Sequence, residues 1–584
     1  MVSIIATNIG LGLLLLAVPL LGGDFLAWQL GLYLLYGIAA QGVALAWGQG
    51  GFLPLGNAVF FGLAAYLSAA LLKVTAAGVL IGLAGLFLAA CLMAGLAYGL
   101  AFLLFRGRSD SGPFFSLVTL ALVLIVAQLA ETTPQITGGF NGFTGYQPLG
   151  GMDPFSTLYY LIAGLVVLVT FALMVLQKLP AGLIMRALVG DERRVQLLGF
   201  ASHRIKAWVF ALSAFITALA GGLFASHQGI VTPQASGFVL SAEFVIWAAV
   251  GGRLHPLGPL AGAVLIGLLS AALRDSFIWW EVAVALLFLI VVLAAPGGLA
   301  ELVLRPVARF LPTAGAATGR PARPAPPSRA SHGQNQQLVI DRVGVRQGRV
   351  QILNDLDFTC PEQGILCVIG PNGAGKTSLL KAITGALPVQ NGAVRLGENT
   401  ISNRMVHLSL ASGIGRKMQV PAIFSDLSLR ENLCMAALAG RARLPDLFRR
   451  RTFDWQTPTL AALLAHPGVP LSQQQDRPAG ALPQGHKQML ELALAIAPAP
   501  PVLLLDEPTA GMSPEETAIM VEIIHAYQQQ TGAFVLVIEH DMALVEALQA
   551  EVLVLDQGRV LATGSLAALR ANPAVRAVYA GGQK

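Results

Sequence analysis

A glycine-rich turn at residues 370–377, GPNGAGKT, has the spacing of a phosphate-binding loop. An apolar run, Ile365 to Ile369, precedes the turn and a helical pattern follows it, so the turn joins a strand to a helix. In that setting the backbone N–H groups of the turn converge on phosphate oxygens, and the N-terminal end of the helix adds positive potential. The sequence therefore predicts a site for nucleotide phosphates.

The residue types of this loop indicate how it would hold a nucleotide. Lys376 would contact the β- and γ-phosphates, and Thr377 would offer its hydroxyl to Mg²⁺. The residues predicted to bind the nucleotide are Gly370, Pro371, Asn372, Gly373, Ala374, Gly375, Lys376, Thr377 and Ser378. A nucleotide with β- and γ-phosphates, bound together with Mg²⁺, is therefore the expected ligand.

Two acids and a histidine follow two further apolar runs. Asp506 and Glu507 come directly after Val502 to Leu505, and His540 closely follows Ala533 to Ile538. A continuous apolar run is typical of a buried parallel strand, and side chains at the carboxyl ends of such strands share one crevice. Asp506 suits a Mg²⁺ contact, Glu507 suits polarising the attacking water, and His540 suits a contact to the γ-phosphate. The predicted chemistry is hydrolysis of the bound nucleotide.

The composition divides the chain into two unlike parts. Of 584 residues, 55% are hydrophobic and only 12% are charged, whereas about a quarter of the residues in soluble proteins are charged. Residues 1–310 hold 13 of the 37 Lys and Arg and 10 of the 31 Asp and Glu. The net charge of +6 is small for this length, so composition gives no support to nucleic-acid binding. The four cysteines stand singly and are interpreted as reduced packing residues.

The first part predicts a bundle of membrane-spanning helices, because a hydrocarbon core of about 30 Å needs about 20 consecutive apolar residues in a helix. Segment 178–206 is rich in Lys and Arg, whereas loops 132–155 and 229–242 contain none, so segment 178–206 is predicted to be cytoplasmic. About ten spans with both ends inside are expected, and 237–252 would be a short or broken helix. The predicted spans lie near residues 4–22, 26–47, 52–72, 76–104, 113–131, 156–178, 207–228, 237–252, 256–274 and 279–296.

Four polar residues lie within or at the ends of these spans: Gln41, Asn57, Gln128 and Glu243. Polar groups in a membrane are unfavourable, so each is a candidate for a solute pathway. Each could equally hydrogen-bond a neighbouring helix and hold the bundle together. The sequence leaves both interpretations open.

The fold predicted from these observations has two domains joined by a linker. Residues 1–310 form a polytopic α-helical membrane domain, and residues 338–584 form an α/β P-loop NTPase domain. Residues 311–337 are rich in Pro, Ala, Gly and Ser without a hydrophobic period, which is typical of a flexible connector. We expect this connector to be a tether without a binding role.

Nearly all of residues 337–584 resemble the nucleotide-binding domain of ATP-binding-cassette (ABC) transporters. The resemblance implies that two such domains close on two ATP molecules, with Gly485 of one completing the site of the other. It also implies that Gln419 senses Mg²⁺ and couples to the membrane domain, that Glu507 is the catalytic base, and that His540 is the γ-phosphate switch. The matching stretches are GPNGAGKT at 370–377, GIGRKMQ at 413–419, LPQGHKQMLELALAI at 482–496, LLLDEPTAGM at 503–512 and VIEHDM at 537–542.

Residues 1–310 resemble the permeases that accompany importers of branched-chain amino acids and of urea or short-chain amides. The matching stretches are TGGFNGFTG at 137–145, LPAGLIMRALVGDERRVQLLGF at 179–200 and GIVTPQASGFVLSAEFVIWAAVGG at 229–252. Segment 179–200 is similar to the coupling segment that docks on the ATPase, although a solvated basic loop is the alternative. It is predicted to contain a short helix, Leu183 to Leu188, and then Asp191 as an N-cap.

The combined resemblance implies a permease fused to its ATPase in the bacterial inner membrane, with the ATPase domain in the cytoplasm and the membrane domain in the lipid bilayer. Such a chain would need a second permease subunit, a second ATP-binding subunit and an extracytoplasmic solute-binding protein.

Urea or a short-chain amide is the expected solute, because 413–424 and 482–492 are similar to urea-type ATPases and the permease stretches GGFNGFTG at 138–145 and EFVIWAAVGGR at 243–253 favour the same branch. Branched-chain amino acids are the alternative. An exporter and a non-hydrolysing regulator are further alternatives. Short cytoplasmic loops argue against the first, and the intact residues Lys376, Asp506, Glu507 and His540 argue against the second.

The chain departs from the family pattern at three places. The usual signature L-S-G-G-Q has Pro483 at the serine position and His486 at the final glutamine, so a hydroxyl and a backbone donor are missing. The stretch 342–351 has no aromatic residue to stack on adenine, unless Arg346 or Arg349 does so. Residues 510–516, AGMSPEE, lack an aspartate that many relatives have there. We therefore expect weaker contacts to the nucleotide across the dimer.

Overall fold

The computed structural model describes residues 2–74, 78–106, 112–274, 277–295, 297–302, 323–328 and 337–581. The chain forms two compact units. The first comprises Met1–Val189 and His203–Gly315, and the second comprises Gly190–Ser202 and Ala316–Lys584. The second unit therefore includes thirteen residues that lie, along the sequence, between two apolar helices of the first. Most of the predicted linker, 311–337, lies outside the described residues.

The first unit is helical, as its apolar composition predicts. Its helix α1 is bent at Gly23, where φ is 74° and ψ is 178°, and this break separates the predicted spans 4–22 and 26–47. Glycine suits that position because its lack of Cβ permits a positive φ. In chain order, the helices up to residue 294 are α1 Val2–Ala44, α2 Asn57–Val74, α3 Val79–Phe105, α4 Gly112–Thr132, α5 Pro134–Thr137, α6 Thr157–Gln177, α7 Pro180–Gly190, α8 Glu192–Leu197, α9 Ser202–Gln228, α10 Phe238–Gly251, α11 Leu257–Arg274 and α12 Trp280–Ala294.

Seven helical segments among the described residues are long and apolar enough to cross a membrane, the first of them running from Ser3 through the bend to Gln49. The predicted crossing at 237–252 is the 14-residue helix α10, which confirms a short helix there. Helix α12, over the predicted span 279–296, has 15 residues. The predicted helix Leu183 to Leu188 is part of the longer α7. The number of about ten crossings stays a prediction.

Two of the four polar residues in the spans bond neighbouring helices. Gln41 Nε2 on α1 donates to Thr170 Oγ1 on α6 at 2.9 Å. Asn57 Nδ2 on α2 donates to Ser213 Oγ and Thr217 Oγ1 on α9, at 2.9 and 3.1 Å. Both side chains are buried, so these contacts favour a role in holding the bundle together. For Gln128, which is exposed, and Glu243, which is half-buried, the two interpretations stay open.

The second unit is an α/β structure whose described residues form three sheets. Its central sheet has the order β12-β11-β4-β10-β9-β7, and its neighbours are parallel except for the antiparallel pair β11 and β12. The order β3-β2-β5-β6 forms a second, antiparallel sheet. The strands are β1 Arg323–Pro324, β2 Leu338–Gln347, β3 Val350–Thr359, β4 Gly364–Ile369, β5 Asn391–Leu396, β6 Asn399–Thr400, β7 Ile414–Lys417, β8 Trp455–Gln456, β9 Val502–Asp506, β10 Phe534–Ile538, β11 Glu551–Asp556 and β12 Arg559–Gly564.

Helices cover this central sheet and bury its strands. All five residues of β9 and of β10 are buried, which explains why both read as continuous apolar runs. Of the four cysteines, Cys360, Cys367 and Cys434 are buried, whereas Cys91 is exposed; all are free. The helices after residue 337 are α13 Lys376–Ile383, α14 Leu429–Leu438, α15 Pro458–Ala465, α16 Gln484–Ile496, α17 Pro514–Thr531, α18 Met542–Ala547, α19 Leu566–Ala571 and α20 Pro573–Gly581.

The register of the parallel strands aligns their carboxyl ends. Ile538, the last residue of β10, pairs with Asp506 of β9 and with Val368 of β4. Lys417, the last residue of β7, pairs with Leu505. The segments that follow these strands therefore begin at one edge of the sheet, which is where ligands bind in α/β proteins.

One described part of the predicted linker is paired with the ATPase half. Arg323–Pro324 forms the short strand β1 parallel to β8, and the Ala325 N–H donates to the Gln456 carbonyl at 3.0 Å. The expectation that the rest of the connector is a tether without a binding role stays a prediction. An extended backbone has unpaired N–H and C=O groups, and a neighbouring short strand can accept them whatever the side chains are.

Candidate nucleotide site

The glycine-rich loop lies between β4 and α13. Gly373 and Gly375 have φ angles of 82° and 100°, which side chains disfavour, and Gly375 is the N-cap of α13. A Cβ added to Gly370 would lie 2.1 Å from the Leu555 carbonyl oxygen. Glycine is therefore favoured at Gly373 and Gly375 by their backbone conformation and at Gly370 by the lack of space for a side chain.

Lys376 folds over this loop. Its Nζ donates to the carbonyl oxygens of Gly370 and Pro371, at 2.7 and 2.9 Å. Burial lowers the pKa of Lys376, and the negative charges of Glu507 and Asp506 oppose that shift. Of the other predicted loop residues, Asn372 is exposed, Ala374 is buried, and Ser378 is half-buried in the first turn of α13.

Asp506 and Thr377 form the predicted metal position. Asp506 ends β9 and is 1% exposed, and Thr377 Oγ1 lies 3.5 Å from its Oδ1. Arg416 Nη2 lies 3.5 Å from Asp506 Oδ2. Burial raises the pKa of Asp506, and the charge of Arg416 opposes this rise. A hydroxyl and a carboxylate brought together at a phosphate loop are the oxygen ligands that Mg²⁺ prefers, so the residues fit the metal.

Glu507 and His540 meet at the same edge. The Glu507 N–H donates to the Ile538 carbonyl at 3.0 Å, and its backbone has a φ of 44°. The side chain of Glu507 is 22% exposed, and its Oε1 lies 3.8 Å from His540 Nδ1. Glu539, which is buried, accepts a hydrogen bond from Thr509 Oγ1 at 3.2 Å and lies 3.9 Å from the same His540 nitrogen. A positive φ at a non-glycine residue is unfavourable, so surrounding contacts such as the bond to the Ile538 carbonyl must hold the Glu507 backbone in place.

Gln419 and Gly485 lie elsewhere in the unit. Gln419 is exposed two residues beyond β7, at the edge where β9 ends in Asp506. Gly485 is buried in the first turn of α16, and a Cβ there would lie 2.1 Å from Glu516 Oε1. Pro483 occupies the N-cap of α16 without a side-chain hydrogen bond. The role of Gly485 toward a second ATPase domain stays a prediction.

The candidate adenine-stacking residues are on the hairpin of β2 and β3. Arg346 and Arg349 are both exposed. The Arg346 Nε donates to Gln351 Oε1 at 3.2 Å, which holds its side chain along the strand pair. Stacking of either guanidinium on a purine stays a prediction.

Sequence reasoning missed a set of buried charged residues. The predicted N-cap Asp191 is confirmed, since its Oδ1 accepts from the Arg194 N–H at 2.9 Å. Arg194 itself is 1% exposed, whereas the charge pattern of segment 178–206 predicts only that its basic residues lie on the cytoplasmic side. It lies with four other charged residues, each at most 5% exposed. This buried charge cluster comprises Arg194, Arg416, Lys417, Glu491 and Asp506. Charged residues inside an apolar strand or helix pattern, such as Glu491 in LELALAI, are the signal that could have found it.

Both halves of the chain match known families. Residues 27–294 match the family described as "Branched-chain amino acid transport system / permease component", and residues 353–510 match the family described as "ABC transporter".

Curated relatives match the ATPase half. The high-affinity branched-chain amino acid transport ATP-binding protein BraF of Pseudomonas aeruginosa is 32% identical over 254 residues, which are 42% of this chain and 97% of that protein. LivG of Escherichia coli, with the same description, is 30% identical over 252 residues, or 42% of this chain and 97% of that protein. A solved nucleotide-free ATP-binding cassette from an ABC transporter is 24% identical, covers 42% of this chain and 98% of that one, and has a TM-score of 0.36.

Proposed function

The chain belongs to the branched-chain amino acid family of ABC transporters, as a permease fused to its ATPase, and we propose that it spends ATP to import a small polar solute across the inner membrane. It is a multi-pass membrane protein whose ATPase half is cytoplasmic. The observation that carries the proposal is the convergence of Lys376, Asp506, Glu507 and His540 at one sheet edge. A phosphate loop alone would bind a nucleotide, whereas these neighbours equip the site for hydrolysis.

The proposed hydrolysis uses residues of this chain for binding and for proton transfer. Lys376 and the loop amides bind the β- and γ-phosphates, and the oxygens of Thr377 and Asp506 would hold Mg²⁺, which neutralises charge on the phosphates when bound. Glu507 orients the attacking water and takes its proton at a carboxylate oxygen. His540 donates to the γ-phosphate. Gln419 reports occupancy of the site to the membrane half.

Partners complete the proposed transporter. The chain holds one permease unit and one ATPase unit, so a second of each is proposed, with Gly485 reaching the nucleotide bound by the partner ATPase. An extracytoplasmic solute-binding protein delivers the solute. Segment 179–200 is proposed as the coupling segment, because Gly190–Ser202 is part of the compact unit that contains the nucleotide site.

Branched-chain amino acids are the first candidate for the solute. The matched permease description and both relatives name them, and the permease match covers residues 27–294. The prediction of urea or a short-chain amide rests on 413–424 and 482–492 in the ATPase half and on 138–145 and 243–253 in the permease half, and this similarity indicates a lineage rather than a solute pocket. It therefore stays a second candidate with weaker support.

The solute can be identified with the complex reconstituted in vesicles. The cognate binding protein and subunits would be co-purified with the chain, and uptake of labelled leucine would be measured with unlabelled valine, urea or acetamide as competitors. We expect valine to compete and the two amides not to. Uptake of labelled urea, with no uptake of leucine, would reverse the order of the candidates.

A further inference from the structure

The buried charge cluster connects helix α8 to the nucleotide site within one compact unit. Its five members comprise three cations and two carboxylates. Buried ions are stabilised only by close partners and hydrogen bonds, so their arrangement is strongly constrained. The inference below rests on the proposed function, because it concerns how occupancy of that site is transmitted.

Arg194 is held by two other elements of the unit. Its Nη1 donates to the Arg416 carbonyl oxygen of β7 at 2.8 Å, and its Nη2 donates to the Glu491 carbonyl oxygen of α16 at 3.2 Å. The Glu491 carboxylate lies 3.8 Å from the same guanidinium. Burial lowers the pKa of Arg194, and Glu491 and Asp191 oppose that shift. The planar guanidinium therefore ties α8 to both a strand and a helix.

Glu491 extends the connection toward Gln419. Its Oε1 accepts from the Met418 N–H at 2.8 Å, and its Oε2 lies 3.6 Å from Lys417 Nζ. Lys417 and Glu491 are both 0% exposed. One carboxylate thus contacts Arg194 of α8 and the last two residues before Gln419, Lys417 and Met418.

Arg416 completes the path to the nucleotide site. Its side chain lies 3.5 Å from Asp506 Oδ2 and donates to Thr384 Oγ1 at 3.0 Å. Its backbone carbonyl is the acceptor for Arg194. Residue 416 therefore touches the predicted metal ligand with its side chain and the coupling segment with its backbone.

We propose that Arg194 is a positioning residue that couples α8 to the nucleotide site through Glu491 and Arg416. Binding of the nucleotide with its cation beside Asp506 changes the local charge. This change alters the attraction between Asp506 and the Arg416 side chain. Because β7 carries the acceptor for Arg194, a shift of this strand changes the bonds that fix α8. The reverse also holds, since the coupling of two equilibria is reciprocal: displacement of α8 alters the affinity of the site.

The neighbouring arginine provides a matched control. Arg193 has the same charge and lies on the same helix turn, but it is exposed. Arg193→Gln and Arg194→Gln therefore make equal changes in net charge, and only the second removes a member of the buried charge cluster. Arg194→Lys keeps the charge and loses the paired N–H groups, so it tests geometry separately.

The test measures hydrogen exchange of residues 191–200 in the full chain in detergent, with and without ATP and Mg²⁺, next to ATP affinity by equilibrium binding. In the wild type and in Arg193→Gln, nucleotide changes the exchange rate of this segment. In Arg194→Gln we expect that response to shrink about fivefold or more, while ATP still binds. Arg194→Lys recovers part of the response, and Arg194→Gln combined with Glu491→Gln loses no more than Arg194→Gln alone.

Three results would contradict the inference. They are an unchanged response in Arg194→Gln, an equal loss in Arg193→Gln, and no response of residues 191–200 in a wild type that binds ATP. Failure of the wild type to bind ATP would instead contradict the proposed function. If Arg194→Gln does not fold, the response of Arg194→Lys decides the question.

Discussion

Glu507 and His540 stand side by side although 32 residues separate them in sequence, with Glu507 Oε1 3.8 Å from His540 Nδ1. Each follows a buried parallel strand, and the Glu507 N–H is bonded to the carbonyl of Ile538, the last residue of the other strand. Backbone pairing thus places the two side chains before any ligand arrives. This preorganisation is what a site needs when it must stabilise charge during the reaction.

His540→Ala should slow hydrolysis more than it weakens ATP binding. The imidazole is 70% exposed, so its loss leaves the core intact, while one donor to the γ-phosphate disappears. We expect kcat to fall about 100-fold with a much smaller change in KM. Steady-state phosphate release checks this, with His525→Ala on α17 as the control. Equal effects of the two substitutions on kcat would contradict the role of His540.

Lys376→Ala should weaken nucleotide binding itself. A hydrogen bond to a charged group contributes about 1.5–3 kcal/mol, so Kd for ATP should rise about 10- to 100-fold. Lys381→Ala is the matched control, because that lysine is on the same helix and is exposed. Equilibrium binding of a fluorescent ATP analogue measures both. An unchanged Kd for ATP in Lys376→Ala would contradict the role of this loop in binding the phosphates.

Pro483→Ser should strengthen the site across the dimer. The N-cap of α16 has no side-chain hydrogen bond, and a serine hydroxyl there can accept one from the first turn. The expected gain in the free energy of unfolding is about 1 kcal/mol, with faster ATP hydrolysis in the assembled complex. Pro483→Ala, which removes the ring without adding a hydroxyl, should show neither effect. If both variants behave alike, the hydroxyl is not the missing contact.

The burial of Glu539 should make the free energy of unfolding depend on pH. Burial raises its pKa above the usual 4.5, against hydrogen bonds from the His540 N–H and Thr509 that lower it. The folded state therefore favours the protonated form, whose stabilising contribution is full below pH 4.5 and is lost as pH rises through the folded pKa. Glu539→Gln should raise the apparent unfolding temperature at pH 8 and have little effect near pH 4.5. Exposed Glu551→Gln is the control, and a gain independent of pH would contradict the interpretation.

The strands of the ATPase half were predictable because burial on both faces leaves a simple trace in sequence. The predicted run Val502 to Leu505 is β9 to within one residue, and Ile365 to Ile369 is β4 to within one residue. Membrane-spanning helices were predictable for a similar reason, because the bilayer requires a long and apolar segment. The break at Gly23 falls between the predicted spans 4–22 and 26–47. The strand Arg323–Pro324 was not predictable, because it depends on backbone pairing rather than on a side-chain pattern.

The site was predictable only where a motif is local. The loop at 370–377 is one unbroken stretch of sequence, and the two acids at the end of β9 are adjacent residues. Residue types and their order were therefore enough to predict both parts of the site. The bond from Arg194 to the Arg416 carbonyl joins residues 222 positions apart, and no periodicity encodes that contact. The buried charge cluster therefore required the fold, even though each of its members was visible as an isolated charge.

The most direct test of the whole account is solute uptake by the reconstituted complex, with ATP and Mg²⁺ enclosed on the side of the ATPase half. We expect the wild type to take up labelled leucine only when ATP is enclosed. Glu507→Gln should reduce that uptake about 100-fold or more while ATP still binds, because the general base is lost. Uptake that is the same without ATP, or the same in Glu507→Gln, would contradict the claim that hydrolysis at this site drives transport.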